Sequence, residues 1–220
     1  MKNLTLIIPA KEEAESLPQV LKEIKNFDCK IIIILESSDI KTIKSIKEFD
    51  CELVYQSSKG YGDALIEGIN NAKTDYLCIF NADGSFDPKY LSNMLKLCKN
   101  TEYVFASRYS KEGGSEDDTA ITKLGNYFFS TLGNILFSLK LSDILFCYIL
   151  GKTNSFRSIK LKSKDFRLCV EIPINAKKMN QSYVSTPSFE RKRIAGKKKV
   201  KEFRDGFKIL TYMIRRFLRF

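Results

Sequence analysis

Oxygen-bearing side chains are concentrated where short apolar runs of the sequence end. Asn81 and Asp83 follow the apolar run at residues 76–80 and are spaced two positions apart. At a strand end, two such side chains can both reach one hard cation, Mg²⁺ or Mn²⁺, and leave positions for phosphate oxygens. Asn, Asp, Gly and Pro are also turn-forming residues, so the segment taken alone is more typical of a turn. The pattern therefore leaves two interpretations open, a plain turn or a metal site that bridges a diphosphate.

Three further polar segments follow other apolar runs. They are residues 9–13 (PAKEE), 36–39 (ESSD) and 59–64 (KGYGDA). Parallel α/β sheets bind ligands at the carboxyl ends of their strands, where the following helices begin. We therefore expect all four polar segments to meet at one edge of a sheet.

The elements that position these segments alternate along the first half of the chain. Leu4–Pro9 and Lys30–Leu35 are short, β-branched runs typical of buried strands, and helical segments separate the runs. This alternation predicts an α/β fold with right-handed crossovers and a mainly parallel sheet. Residues 107–119 are predicted to form a mobile polar loop and residues 121–141 a helix, with an irregular pattern up to residue 202.

The chain contains no histidine, which excludes Ser-His-Asp and Cys-His nucleophilic sites and zinc sites that use histidine. Any general base must be a carboxylate, a lysine, a tyrosine or the substrate itself. The six cysteines form no C-x-x-C pair, so we expect reduced thiols rather than a disulfide framework or a zinc site.

Positive charge is concentrated at the C-terminal end. The formal net charge is +11, and residues 190–220 hold twelve Lys and Arg against three acidic residues, or +9. Within this region an apolar stripe and a basic stripe lie side by side at helical spacing: Phe203, Phe207, Leu210, Ile214 and Phe217 beside Arg204, Lys208, Arg215 and Arg219. This layout predicts an interfacial helix on an anionic membrane surface. The alternative is a helix docked on the body with a solvated basic side.

Taken in order, the segments resemble the family 2 glycosyltransferases, especially dolichol-phosphate mannose synthase and related polyprenyl-phosphate sugar transferases. The resemblance covers residues 4 to 209 and lies in six motifs: 8–13 (IPAKEE), 81–88 (NADGSFDP), 106–109 (ASRY), 142–143 (SD), 166–171 (FRLCVE) and 187–198 (PSFERKRIAGKK). It implies a GT-A type, Rossmann-like sheet flanked by helices. Residues 1–202 would form one domain, with a nucleotide-sugar-binding half at 1–110 and an acceptor half at 111–202, followed by a basic amphipathic helix at 203–220.

The resemblance also implies an activity and a set of partners. We expect inverting transfer of a sugar from a GDP- or UDP-sugar to a polyprenyl phosphate or a cell-surface glycan precursor. The expected cofactor is Mg²⁺ or Mn²⁺, and the expected location is the cytoplasmic face of a membrane, held peripherally. No nucleic-acid partner is expected, because the basic residues lack interleaved base-stacking aromatics and a recognised module pattern.

Candidate site residues follow from the matched positions. The expected metal ligands are Asn81, Asp83 and Ser85. Asp83 and Arg108 are the expected catalytic residues. Asp143 and Glu171 are the carboxylates to test if a base is needed, with a structural role as a helix cap and an ion pair left open as the alternative; a lipid phosphate acceptor needs no base. The expected nucleotide-sugar contacts are Pro9, Ala10, Glu12, Glu13, Glu36, Gly62, Asn81, Ala82, Arg191, Arg193 and Lys198.

The chain departs from the family pattern at several of these positions. Asn81 stands where the family has the first aspartate of its metal loop, and Ile149 stands where an arginine is expected. Loss of a ligand charge keeps one alternative open, a degenerate transferase that binds nucleotide sugars or serves as a partner protein. The basic C-terminal region leaves a nucleic-acid-binding module as a less favoured alternative. A nucleotidyltransferase is disfavoured because residues 9–13 contain no glycine.

Overall fold

The computed structural model describes residues 1–219. The strands are β1 (Leu4–Pro9), β2 (Lys30–Leu35), β3 (Glu52–Tyr55), β4 (Tyr76–Ile79), β5 (Tyr103–Ser107), β6 (Gly114–Ser115), β7 (Ile149–Lys152), β8 (Tyr183–Pro187) and β9 (Phe189–Glu190). The α-helices are α1 (Leu17–Ile24), α2 (Ile40–Ser45), α3 (Tyr61–Asn71), α4 (Leu91–Cys98), α5 (Ala120–Phe137), α6 (Thr153–Ser158), α7 (Leu168–Lys178) and α8 (Glu202–Phe217). Short 3₁₀ turns lie at Lys25–Phe27 and Pro88–Tyr90.

Seven strands form the main sheet, in the order β3-β2-β1-β4-β7-β5-β8. All neighbours are parallel except β7, which runs antiparallel to both β4 and β5. The predicted α/β fold with a mainly parallel sheet is confirmed. The antiparallel strand was not predicted, because its sequence lies in the stretch without a clear periodicity. Residues 107–119, predicted as a loop, contain β6, which pairs with β9 in a second, two-stranded sheet.

Helices cover both faces of the main sheet, which explains why its central strands are continuously apolar. Ile7 and Ile34 face one core, which they share with residues of α3, α5, α7 and α8. Ile8 and Ile33 face the other core, against α1 and α4. All four side chains are buried. The strands are thereby fixed in register, and the polar segments that follow them emerge together at one sheet edge.

Helix α5 begins and ends at local signals. Thr119 forms a capping box with Thr122, each side chain hydrogen-bonding the backbone N–H of the other. Ser138 adopts a left-handed φ of 53°, which stops the helix at Phe137, four residues before the predicted end.

Helix α8 docks on the body through a stripe that was not predicted. Ile209 and Met213 are buried, and α8 packs against α5. The predicted stripe lies largely on the outer side, where Phe203 is 83% exposed and Phe207 is 69% exposed. The helix is therefore docked and also presents an apolar outer surface. Phe220 lies outside the described residues, and no helix formed by residues 1–219 is both long and apolar enough to span a membrane.

Gly62 provides a test of how closely helix α3 packs against the loop that contains Ser163. A Cβ built on Gly62 would lie 2.1 Å from the Ser163 carbonyl oxygen, whereas a Cβ on Gly125 in α5 would meet nothing within 4 Å. We expect Gly62→Ala to lower the free energy of unfolding by about 1–3 kcal/mol, because the backbone at Ser163 must shift. Gly125→Ala should raise it by roughly 0.4–1 kcal/mol. Denaturant titration measures both, and equal stability of the two variants would contradict the packing.

Candidate active site

A cavity of about 890 Å³, here called the cleft, opens where the carboxyl ends of the parallel strands meet. Polar segments after β1, β2, β3 and β4 all contribute to its wall, as the sequence predicted. The predicted residues that line it are Pro9, Ala10, Glu13, Glu36, Asn81, Ala82, Asp83, Ser85, Arg108, Arg193 and Lys198. Glu12, Gly62, Asp143, Glu171 and Arg191 do not line it.

The loop after β4 is a tight turn that aims its polar side chains at the cleft. Asp83 Oδ1 accepts a hydrogen bond from the Ser85 backbone N–H at 3.0 Å, and Asn81 Nδ2 donates to Ser85 Oγ at 3.2 Å. Gly84 has a φ of +83°, and the Ile194 side chain packs where its Cβ would be. The turn and the candidate metal loop are therefore the same structure, with one carboxylate and one amide in the cleft.

Glu13 lies in the cleft wall at the end of β1. It is 8% exposed, and its Oε2 accepts a hydrogen bond from Ser16 Oγ at 2.7 Å. Burial raises the pKa of this carboxyl above its ordinary value, although the Ser16 hydrogen bond and the Lys199 charge oppose that rise. Glu36, after β2, pairs with Lys11 at 3.1 Å. Two acidic groups therefore face the part of the cleft nearest the β1 and β2 ends.

Glu12, which does not line the cleft, occupies a strained position beside Glu13. It has a left-handed φ of 55°, and its backbone N–H donates to Asp39 Oδ2 at 2.7 Å. The side chain is largely exposed and reaches Lys199, 3.5 Å away.

A basic segment, residues 191–201, crosses the cleft and is here called the cationic strap. Arg193 contacts Asp83 Oδ2 at 3.4 Å and Asp117 Oδ2 at 3.1 Å. Lys198 pairs with Asp117 at 3.6 Å, and Lys199 lies 3.8 Å from Glu13. Arg193 therefore lies against the carboxylate of Asp83, and Lys198 and Lys199 lie against other acidic groups of the cleft wall. Cations placed in this way can contact the oxygens of a diphosphate.

Arg191 holds the metal loop from outside the cleft. Its guanidinium donates to the Gly84 carbonyl oxygen at 2.8 and 3.1 Å and to the Phe86 carbonyl oxygen at 3.0 Å. The same group forms a two-pronged pair with Glu23, at 2.6 and 2.8 Å. With its donors engaged in this way, Arg191 is placed to position the loop backbone. The sequence predicted a nucleotide-sugar contact for Arg191 instead, and the structure does not bring its side chain to the cleft.

Arg108 is buried among three carboxylates. Its guanidinium makes a two-pronged pair with Asp143 at 2.8 and 2.9 Å, and it reaches Glu190 at 3.0 Å and Asp118 at 3.4 Å. The group also stacks over the Phe146 ring, 4.5 Å from its centre. Burial alone would lower the pKa of this guanidinium, but the neighbouring carboxylates raise it well above its ordinary value. We refer to Arg108, Asp118, Asp143 and Glu190 as the Arg108 cluster.

Neither carboxylate predicted as a possible base is brought to the cleft. Asp143 has a fully buried side chain, and both its oxygens are engaged by Arg108. Glu171 is 4% exposed, and its oxygens accept from the backbone N–H groups of Lys162 and Ser163 at 3.1 and 2.7 Å. Gly62 packs against the same loop, which contains Lys162 and Ser163. The sequence could not show this, because a carboxylate that secures a backbone loop looks identical in sequence to a base.

The acidic partners of these cations were not predicted from the sequence. Asp117, Asp118 and Glu190 line the cleft, two of them in the stretch predicted as a mobile loop. Asp118 also accepts a short hydrogen bond from the Tyr109 hydroxyl, and burial is the main cause that raises the pKa of Tyr109. A signal was present: the acidic run at residues 116–118 complements the basic run at 191–199.

Solved structures of similar fold include glucosyl-3-phosphoglycerate synthase from Mycobacterium tuberculosis, in complex with Mn²⁺, UDP and glucosyl-3-phosphoglycerate. Its TM-score is 0.78 at 10% identity, over 98% of this chain and 80% of that one. Mannosyl-3-phosphoglycerate synthase from Rubrobacter xylanophilus has a TM-score of 0.74 at 16% identity, over 99% and 74%. The chain therefore has the GT-A glycosyltransferase fold.

Sequence comparison gives the family. An undecaprenyl-phosphate mannosyltransferase from Micrococcus luteus is 24% identical over 201 residues, which is 85% of this chain and 82% of the relative. This similarity supports the polyprenyl-phosphate sugar transferase branch that the motifs indicated. The family model described as glycosyl transferase family 2 matches residues 5–160. The chain therefore belongs to glycosyl transferase family 2 and is a glycosyltransferase.

Proposed function

We propose that this glycosyltransferase moves a sugar from a GDP- or UDP-sugar to a lipid phosphate of the polyprenyl class, with inversion and with a divalent metal ion. The observation that carries the proposal is the two-part character of the cleft. Asp83, Arg193 and Lys198 line one part, and apolar side chains of α5 and α8 line another. A polyprenyl phosphate has the same division, with a charged head joined to an apolar chain.

The apolar part of the cleft lies between two packed helices. Ile121 and Phe129 contribute from α5, and Phe207 and Leu210 contribute from α8. Ile121 and Phe207 are also largely exposed, so the apolar lining continues to the protein surface. In this proposal residues 1–110 bind the donor together with the cationic strap, and the remainder of residues 111–202 bind the acceptor, with the helix predicted at 203–220 contributing to the acceptor path.

Similar proteins support this choice of substrates. The M. luteus relative is named for mannosyl transfer to undecaprenyl phosphate, and the M. tuberculosis neighbour binds UDP, Mn²⁺ and a phosphoglycerate product. Both names include a phosphate-bearing acceptor or product, and the UDP complex of the neighbour supports a nucleotide-sugar donor. The apolar lining between α5 and α8 is what favours a lipid phosphate for this chain.

The metal loop is suited to hold Mg²⁺ or Mn²⁺ together with a diphosphate. Asp83 offers a carboxylate in the cleft, and Asn81 offers its amide oxygen because its nitrogen is bonded to Ser85. Within residues 1–219 no group of three or more Asp, Glu or Cys side chains is placed to hold a metal ion. Phosphate oxygens of the donor would therefore complete the coordination, which is common for Mg²⁺. A bound metal supplies Lewis-acid stabilisation of the departing nucleoside diphosphate.

The protein's own residues bind and orient the two substrates. Arg193, Lys198 and Lys199 would exchange their carboxylate partners for the donor diphosphate and stabilise the charge that develops there. A lipid phosphate is already an anionic nucleophile and needs no base. This agrees with the absence of histidine and with the location of Asp143 and Glu171 outside the cleft.

The outer face of α8 is suited to an anionic membrane surface on the cytoplasmic side. Phe203, Phe207 and Ile214 are exposed, and Arg204 and Arg215 are exposed on the same helix. Apolar and basic side chains in this arrangement are typical of helices that lie in a headgroup layer. The protein would thus be held peripherally, with the apolar part of the cleft next to the lipid.

Donor binding is tested by thermal unfolding with UDP-glucose and GDP-mannose, with and without Mn²⁺. We expect one of them to stabilise the wild type in a metal-dependent way, by about 2.7 kcal/mol at a hundred times its dissociation constant. Asp83→Ala should abolish the effect, because it removes the carboxylate from the metal loop. The control, Asp87→Asn, alters the same loop outside the cleft and should retain it. No stabilisation of the wild type by either donor would contradict the proposal.

Membrane attachment is tested by flotation with phosphatidylglycerol vesicles. Removal of residues 205–220 would also take Ile209 and Met213 out of the core, so surface substitutions are the cleaner test. We expect Phe203→Ser combined with Phe207→Ser to weaken binding more than tenfold, because each buried Phe contributes about 1.5–3 kcal/mol. The control, Ile40→Ser, removes an apolar side chain of α2 that is 51% exposed and should change nothing. Unchanged binding by the double variant would refute attachment through α8.

A further inference from the structure

Asn126, on α5, carries a buried oxygen without a partner. The side chain lines the cleft and is 5% exposed. Its Oδ1 is buried and has no hydrogen-bond partner among the described residues. Folded proteins pair nearly all buried polar groups, because an unpaired acceptor loses its hydration without compensation. An unpaired acceptor in the wall of a substrate cleft therefore points to a donor that arrives with the substrate.

The orientation of the Asn126 amide follows from its neighbours. The Tyr109 hydroxyl has one proton and donates it to Asp118 Oδ2, so it can only accept from Asn126. The amide nitrogen must therefore be the atom 3.1 Å from the Tyr109 oxygen, which leaves Oδ1 unpaired. Asp118 is itself held by Arg108 and by Thr122 Oγ1, at 3.4 and 3.0 Å. A chain of hydrogen bonds that starts in the Arg108 cluster thus fixes the amide.

The position of Asn126 selects the kind of group that could donate to it. Asn126 is linked through the Tyr109 hydroxyl to Asp118 on the polar side of the cleft, whereas Phe129, one helical turn further along α5, belongs to the apolar side. Phosphate oxygens are themselves acceptors, and a prenyl chain has no donor. The transferred sugar carries hydroxyls that can donate. The ribose of the nucleotide carries hydroxyls as well, and comparison of the nucleoside diphosphate with the sugar nucleotide separates the two sources.

Resting on the proposed function, we infer that Asn126 Oδ1 accepts a hydrogen bond from a hydroxyl of the transferred sugar and so helps to select the sugar. The neighbouring Gly125 leaves open space beside it, since a Cβ there would meet nothing within 4 Å. Because the oxygen is covered in the free protein, a side-chain adjustment accompanies binding, as is common at binding sites.

Calorimetric titration in the presence of Mn²⁺ tests this inference, with UDP, UDP-glucose, GDP and GDP-mannose as the probes. We expect Asn126→Ala to weaken binding of whichever sugar nucleotide the wild type accepts by about tenfold, because a hydrogen bond to a substrate hydroxyl is lost. Binding of the corresponding nucleoside diphosphate should change less than about twofold, because it carries no sugar at this position. Asn126→Leu, which is closer in volume, serves as a second variant if the alanine form is unstable.

Tyr109→Phe is the matched control. It removes the hydroxyl that anchors the amide nitrogen but retains Oδ1, so we expect a smaller loss than with Asn126→Ala. Equal weakening of the nucleoside diphosphate and the sugar nucleotide, or a full loss reproduced by Tyr109→Phe, would overturn the role of Oδ1 while leaving donor binding intact. Failure of the wild type to bind any of the four probes would instead overturn the proposed function, and this inference with it.

Discussion

The buried guanidinium of Arg108 is the interaction on which the cleft depends. It follows β5, and its three carboxylate partners come from separate parts of the chain: Asp118 just before α5, Asp143 after α5, and Glu190 in β9. A buried charge is tolerated only while its partners remain, so loss of one of them is strongly destabilising. One ion cluster thereby fixes α5 and the start of the cationic strap against the sheet edge.

Pairing of opposite charges continues from the Arg108 cluster to the part of the cleft proposed to bind the donor. Glu190 leads directly into the strap, whose Arg193 lies between Asp83 and Asp117. The cleft is therefore lined by balanced pairs of charges in the free protein. An incoming diphosphate and its metal would replace one partner of several pairs at once, so its negative charge meets cations that are already in place.

Local patterns in the sequence were sufficient for much of this architecture. Apolar runs such as Lys30–Leu35 predicted the parallel strands. The expectation that polar residues after these strands meet at one sheet edge was correct for Glu13, Glu36 and Asp83, which line one cavity. The sequence did not predict which polar groups pair with each other, because these pairs join distant segments of the chain. Examples are Asp143 with Arg108 and Arg191 with the Gly84 carbonyl oxygen. Helix α8 shows the same limit. It has two apolar faces, and the sequence alone could not tell which one docks.

The most direct test of the central claim is to follow the sugar itself. Isotope-labelled GDP-mannose or UDP-glucose is incubated with the protein, Mn²⁺ and vesicles that contain undecaprenyl phosphate, and the label is then partitioned between organic solvent and water. We expect the label to enter the organic phase, and to do so only when metal and lipid phosphate are both present. The proposal would be contradicted if the label remained in the aqueous phase in the presence of undecaprenyl phosphate, while a parallel reaction transferred it to 3-phosphoglycerate.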